Sequence, residues 1–268
     1  MHFSKAHAYG NDFLYVREDE AGDRPLEALA RELCDRHTGV GADGLIVYSA
    51  TSDGARMRLL NADGSRSEVS GNGVRGLAAL LLRDEGPDRA SIAIRTEAGV
   101  KQLDRVGRYG PRQTFRAAMG LPAGLRRAAV TAAGEPLDIV VMTFGNPQCV
   151  ALGPLPDEGR FQRLGPALER HELFPERTNV EFAHVESPAS VRILIWERGV
   201  GPTLSSGTGS CAALIAAAAF GGAARDAEVV APGGRQRIEW REDSVYLTGW
   251  AEVVFDGVWR RPLPGAHP

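Results

Sequence analysis

At 268 residues the chain exceeds the usual single-domain size, so two domains are expected. Its 31 Lys and Arg against 34 Asp and Glu leave a net charge of −3, which removes the electrostatic case for a nucleic-acid or membrane partner. Three cysteines, Cys34, Cys149 and Cys211, form neither a disulfide framework nor a C-x-x-C metal knuckle, which suits a reducing cytoplasm.

The N-terminal Met1-His2-Phe3-Ser4-Lys5 lacks the apolar core of a signal peptide. Phe13 to Val16, Leu45 to Tyr48 and Met57 to Leu60 have strand composition and end at Gly, Asn or Asp turns. Between the first two, the spacing from Leu26 to Cys34 behind Arg24-Pro25 predicts a helix. A second helix is expected to open at Ser70-Gly71-Asn72-Gly73, with Val74, Leu77, Ala78, Leu81 and Leu82 as its apolar residues. Ile92 to Phe115 reads as strands and turns, interrupted at Arg108-Tyr109-Gly110-Pro111. The cluster Gly120-Leu121-Pro122-Ala123-Gly124 marks a change of unit.

The pattern then restarts. Ile139 to Met142 and Val191 to Ile195 read as strands, and a helix opens at Ser206-Gly207-Thr208-Gly209, running through Ala212, Leu214, Ile215 and Ala218. The apolar run around Ala212 to Phe220 is the longest in the chain and is too short to span a bilayer. Three closing strands, Gln236 to Trp240, Val245 to Thr248 and Glu252 to Phe255, are expected with turns between them. The architecture implied is α+β: two similar halves, each a curved sheet with a helix packed against it.

The two S-G-x-G helix starts are the main clue to function. Glycines there let a ligand approach the backbone, and the free N–H groups at a helix start favour an anion. Two copies predict half-domains facing each other across one anionic ligand. Ser70 and Ser206 place a hydroxyl where a polarised nucleophile or base would sit.

Further motifs occur in a fixed order around them. Gly10-Asn11-Asp12-Phe13, Gly39-Val40-Gly41-Ala42-Asp43-Gly44 and Asn61-Ala62-Asp63-Gly64-Ser65 precede the first helix start. Gly145-Asn146-Pro147, Thr178-Asn179-Val180-Glu181-Phe182 and Glu197-Arg198-Gly199-Val200-Gly201 precede the second. In this series the chain resembles the diaminopimelate epimerase family over nearly its whole length. The resemblance implies two pseudo-symmetric α/β-roll domains with the active site in the cleft between them. It places the first domain at residues 1–117, with 253–268 returning to it, and the second at 118–252.

The family inverts an amino-acid α-carbon without metal, pyridoxal or other cofactor, using a base on one face and an acid on the other. Those groups are cysteines at the first position of each x-Gly-x-Gly turn, and here both positions are serine, Ser70 and Ser206. A helix N-terminus lowers a thiol pKa toward neutrality, whereas a hydroxyl needs an adjacent general base. The histidine after Gly-Asn-Pro, which tunes the cysteine pair in the family, is Gln148, and the glutamate of Gly-Val-Gly-Glu-Thr is Pro202. Glu197 remains as the titratable group expected near the pair. The positions matching the family's substrate contacts are Asn11, Asn61, Asn146, Asn179, Glu197 and Arg198, with the helix starts Gly71-Asn72 and Gly207-Thr208 holding the α-carboxylate.

The resulting expectation is a two-base epimerase converting LL- to meso-diaminopimelate, impaired or divergent through its serines. Its partner is then a small diamino diacid or related amino acid, with a homodimer as the family's common assembly. Two alternatives stay open: a ligand-binding sensor without catalysis, and an isomerase of the same superfamily acting on another substrate. His7, His37, His171 and His184 show no metal-ligand spacing and read as structural. Gly39 to Gly44 lacks the lysine of a phosphate loop. Trp196, Trp240, Trp250 and Trp259 read as core or interface residues, with Trp250 replacing a small or proline residue for no reason visible in the sequence.

Overall fold

The computed structural model describes residues 1–86 and 91–260. The chain divides into two compact units, Met1–Phe115 with the chain returning from Trp250, and Arg116–Gly249.

The first unit opens with β1 (His2–Ala8) and β2 (Asn11–Arg17), an antiparallel hairpin in which Ala8 pairs with Asn11. Its two turn residues, Tyr9 and Gly10, have φ of 57° and 87°, the pattern of a type I′ turn. A short helix α1 (Glu18–Ala21) follows, then α2 (Leu26–Cys34), which buries Leu29, Ala30, Leu33 and Cys34 on one face. This helix is the crossover to β3 (Gly44–Thr51), which lies parallel to β2. Next, β4 (Gly54–Asn61) pairs antiparallel with β3, and the two-residue β5 (Arg66–Ser67) pairs with β4. Helix α3 (Gly71–Leu81) is the second crossover, to β6 (Ser91–Thr96), parallel to β4. Antiparallel β7 (Gly99–Tyr109) then pairs with β6, and β8 (Arg112–Ala118) leads out of the unit.

The second unit repeats this order. After β9 (Ala123–Ala132), β10 (Glu135–Thr143) and β11 (Pro147–Leu152) form an antiparallel pair. Helix α4 (Glu158–Glu169) crosses to β12 (Asn179–Ser187), parallel to β11. Antiparallel to β12 runs β13 (Ser190–Glu197), with β14 (Gly201–Thr203) on its other side. Helix α5 (Gly207–Phe220) crosses to β15 (Asp226–Ala231), parallel to β13, and β16 (Gly234–Trp240) pairs antiparallel with β15. The sense of each pairing matches the first unit step for step, so the expected α+β duplication is present in the topology itself.

Both crossover helices that open at S-G-x-G are central. In α3 every residue from Asn72 to Leu80 is buried, and in α5 every residue from Gly209 to Ala217. A helix apolar all round is one enclosed by its unit, and α5 is the middle of a core that includes Val150, Ala183, Ile193, Val229 and Leu247. The sequence therefore has no single apolar face to find in α5. Among the described residues no helix is long and apolar enough to cross a membrane.

Three elements differ from expectation, the first being α1, which makes a helical turn of the charge run Glu18-Asp19-Glu20 that reads as a solvated loop. The strands predicted at Val245 to Thr248 and Glu252 to Phe255 are one continuous strand, β17 (Val245–Val258). Gly249 between them does not turn; it lacks a positive φ and continues the extended backbone. Helix α4 had not been expected. Asp157 caps it by accepting from the Arg160 amide at 2.8 Å, and Phe161, Leu164 and Leu168 form its buried stripe. Gly165 and Pro166 break the composition there without ending the helix.

Candidate active site at two serine-capped helix starts

The first helix start is built on a capping serine. Ser70 has extended backbone, φ −128° and ψ 123°, and its Oγ accepts from the Gly73 amide at 3.1 Å. Ser206 has nearly the same geometry, φ −135° and ψ 130°, and its Oγ accepts from the Gly209 amide at 3.2 Å. Each cap occupies the third amide of its helix. The amides of Gly71 and Asn72, and of Gly207 and Thr208, are the ones a helix start leaves without intrahelical partners. The macrodipole adds its positive end at the same place.

In the first unit a polar chain fixes the ground around Ser70. Arg75 donates to Asn72 Oδ1, Asn72 donates to Asn11 Oδ1 at 3.1 Å, and Asn11 donates to Asp43 Oδ2 at 2.7 Å. Asp12 and Asp43 are held in turn by Arg36, at 2.7 and 2.8 Å, and by Lys5 on Asp12 at 2.9 Å. Burial would raise the Asp12 carboxyl, but these cations outweigh it and lower its pKa. Asn61 does not join this chain. It closes its own turn, donating to Ser65 Oγ at 2.9 Å.

Trp250 acquires a reason that the sequence did not offer. Its backbone N–H donates to Tyr9 Oη at 3.1 Å, and its ring packs on Tyr9 at 4.5 Å and on His7 at 5.3 Å. The Arg112 guanidinium lies over that ring at 4.4 Å. A large flat residue therefore braces Tyr9, a side chain held at positive φ two residues before Asn11.

In the second unit Asn179 is buried on β12, donating to the Pro147 carbonyl at 3.3 Å and accepting from the Arg198 amide at 3.0 Å. The Arg198 side chain is exposed and donates to the Glu176 carbonyl at 3.2 Å. Glu169, at the end of α4, holds the turn that carries Glu197 and Arg198. It accepts from Trp196 Nε1 at 2.9 Å and from the Gly199 amide at 3.0 Å. Burial would raise this carboxyl, but the two donors outweigh it and lower it. Glu169→Gln turns one of the two oxygens into a donor facing a donor and should cost about 1–3 kcal/mol of stability. A glutamate with a lowered folded pKa stabilises above its unfolded pKa of about 4.3 and loses that contribution as pH falls through the folded value. Urea unfolding at neutral and mildly acid pH should show the gap between the two proteins closing in acid.

Buried Gln148 and Glu181 form a group with half-buried Asn146, and Glu181 lies near Ser206 at the α-carbon of Gly209. One end of the Gln148 carboxamide lies 2.5 Å from Asn146 Oδ1, and the other lies 3.1 and 3.2 Å from the two oxygens of Glu181. Gln148 and Glu181 are both fully buried. Glu181 lies within Thr178-Asn179-Val180-Glu181-Phe182, and the sequence assigns it no role. Its signal was an acid in the middle of Asn179–Ala183, a stretch the structure buries throughout.

None of the cysteines replaces the expected pair. Cys34, Cys149 and Cys211 are buried and none is in a disulfide among the described residues, and burial pushes the Cys34 thiol up to about 12 and raises Cys149 as well. His171 Nδ1 accepts from the Leu173 amide at 3.1 Å, a structural bond. Among the described residues no group of three or more His, Cys, Asp or Glu is placed to hold a metal ion.

This fold is shared with a probable proline racemase from Agrobacterium radiobacter K84. The two superpose with a TM-score of 0.74 at 15% identity, over 100% of this chain and 94% of that one. The diaminopimelate epimerase family model matches residues 3–110 and 139–254. The diaminopimelate epimerase of Desulforudis audaxviator is 42% identical over 97% of this chain and 100% of its own length. That of Desulfitobacterium hafniense is 39% identical over 96% and 98%. The chain belongs to the diaminopimelate epimerase family.

Proposed function

We propose that this protein is an amino-acid epimerase acting on diaminopimelate or a diamino diacid like it, with Ser70 and Ser206 as its two proton-transfer groups. One observation carries the reading: a family relation covering nearly the whole chain coincides with a serine cap at the start of each buried helix. The substrate α-carboxylate binds the free amides of Gly71-Asn72 and Gly207-Thr208. The helix dipoles there stabilise the charge that develops on it as the α-proton leaves. Asn11, Asn61, Asn146, Asn179 and Arg198 take the distal amino-acid end, and Glu197 its ammonium group. Asn11, Asn72 and Arg75 are already hydrogen-bonded into one chain, which supports preorganisation of the first half-site.

The test is α-hydrogen exchange. Incubation with LL- and with meso-diaminopimelate in D2O should introduce α-deuterium, read by mass spectrometry, together with interconversion of the two isomers. Saturable binding without exchange would favour the sensor instead. Arg198→Ala should weaken binding of meso-diaminopimelate by about 1.5–3 kcal/mol, the range for a hydrogen bond to a charged group. Calorimetric titration measures it, and equal affinities would remove Arg198 from the ligand set.

A further inference from the structure

The two units allow a position-by-position comparison beneath their serines. In the parallel pairs that precede each helix start, Phe13 lies opposite Gly44 and Gln148 opposite Asn179. Counting along β3 and β12 from those positions brings Ile46 and Glu181 into correspondence. The packing confirms it. A Cβ built on Gly73 would stand 2.7 Å from Ile46 Cδ1, and one built on Gly209 would stand 2.4 Å from Glu181 Oε1. The same point would lie 3.1 Å from Ser206 Oγ, so a side chain at Gly209 would crowd both oxygens.

The first unit folds with an aliphatic side chain at this position, so the fold does not require a carboxyl in the second. Burying one is costly unless it is compensated, and a carboxyl set beside a helix-start hydroxyl suggests chemistry. Among the described residues the partner Glu181 finds is a carboxamide, that of Gln148, and not a cation. That amide has two self-consistent orientations. With Glu181 neutral, its O–H donates to Gln148 Oε1 and Gln148 Nε2 donates to Asn146 Oδ1. With Glu181 ionised, the amide turns over and Nε2 donates to the carboxylate, while Oε1 accepts from an Asn146 amide turned likewise. Burial, reinforced by the charge of Glu197 at the end of β13, pushes the Glu181 carboxyl well above the ordinary glutamate range. The other titratable group facing it is Cys149 of β11, whose own thiol is raised by burial and by Glu181.

We propose that Glu181 is the proton-holding partner of Ser206, exchanging protons with the substrate α-carbon through the serine hydroxyl while the Gln148 amide turns to follow its charge. The inference rests on the epimerase reading. In the protonating direction Ser206 gives its hydroxyl proton to the α-carbanion and takes the proton of Glu181, leaving a carboxylate. In the abstracting direction the α-proton moves to Ser206 Oγ as the hydroxyl proton moves to the carboxylate. This supplies the adjacent base that a hydroxyl needs. Ser70, with Ile46 at the matching position, has no such partner there, so the two half-sites are unequal.

Deuterium exchange from both stereoisomers, followed from neutral to alkaline pH, tests this in the wild type, E181Q, S206C and S206C/E181Q. E181Q should slow exchange from the stereoisomer served by Ser206 about 100-fold or more and flatten its pH profile. In the S206C background the same substitution should cost at least about tenfold less, because a thiol at a helix start ionises without help. Equal losses in both backgrounds, or an unchanged rate and pH profile in E181Q, overturn the proposal. A wild type that exchanges no α-hydrogen from any diamino diacid overturns the epimerase reading instead. If E181Q fails to fold, carbon-13 NMR of the glutamate carboxyls in the wild type decides. One of them should titrate well above the ordinary range and shift in S206A, and a set that titrates entirely within that range sinks the idea.

Discussion

Restoring thiols at both helix starts, as S70C/S206C, should raise the rate of epimerisation by about 100-fold or more, the usual contribution of matched acid–base groups. The reason lies in what the site already provides. Both caps sit on helix N-termini with nearly identical backbone geometry, so each replacement sulfur enters a field that favours a thiolate. A serine hydroxyl in the same field remains protonated and depends on a neighbouring base. Each single replacement should do much less for inversion, since one face keeps its hydroxyl, yet each should speed α-hydrogen exchange from the stereoisomer its thiolate serves. Chiral chromatography for inversion and mass spectrometry for exchange separate the two effects. A double variant that folds, binds diaminopimelate and stays inert would show that Gln148 and Pro202, rather than the serines, set the limit.

The second large effect concerns stability. Glu181 is fully buried, and its folded pKa is raised, chiefly by desolvation and then by Glu197. A group of this kind holds its proton more tightly in the folded state. Its contribution is fully present below the unfolded glutamate pKa of about 4.3, and it is lost as pH rises toward the folded value. Through that window wild-type stability should fall by about 1.4 kcal/mol per pH unit relative to E181Q, which has no proton to lose. Denaturant unfolding of both proteins at mildly acid and mildly alkaline pH measures the difference. Parallel stability curves would mean that Glu181 is neutralised some other way in the folded chain.

Much of the arrangement was legible in the residues. The helix from Leu26 to Cys34 has one apolar face and a proline at its entry, and it appears with those bounds. Ser70-Gly71-Asn72-Gly73 and Ser206-Gly207-Thr208-Gly209 read as helix starts because glycines there precede an apolar helical run, and in the structure both helices open there with the serine as cap. What failed to read were features whose cause lies elsewhere in the chain. Gly249 looked like a turn, but a strand's course is set by the neighbours it pairs with, and β17 runs through it. Trp250 looked unexplained because its partners, Tyr9, His7 and Arg112, are far away in sequence. Glu169 carried no motif at all, since its role is to receive Trp196 Nε1 and the Gly199 amide.

The residues alone therefore determined the family, the duplicated α+β architecture and the two helix starts led by Ser70 and Ser206. Those features rest on local chemistry repeated in order along one chain: glycine at helix starts, polar turns, and apolar runs of fixed period. Only the tertiary structure decided what stands beneath each serine. Ile46 and Glu181 occupy matching places in two copies of one unit, and nothing local to either strand reveals that match. Burial turns that difference into chemistry, because a carboxyl removed from water holds its proton and a hydroxyl beside it can then use it.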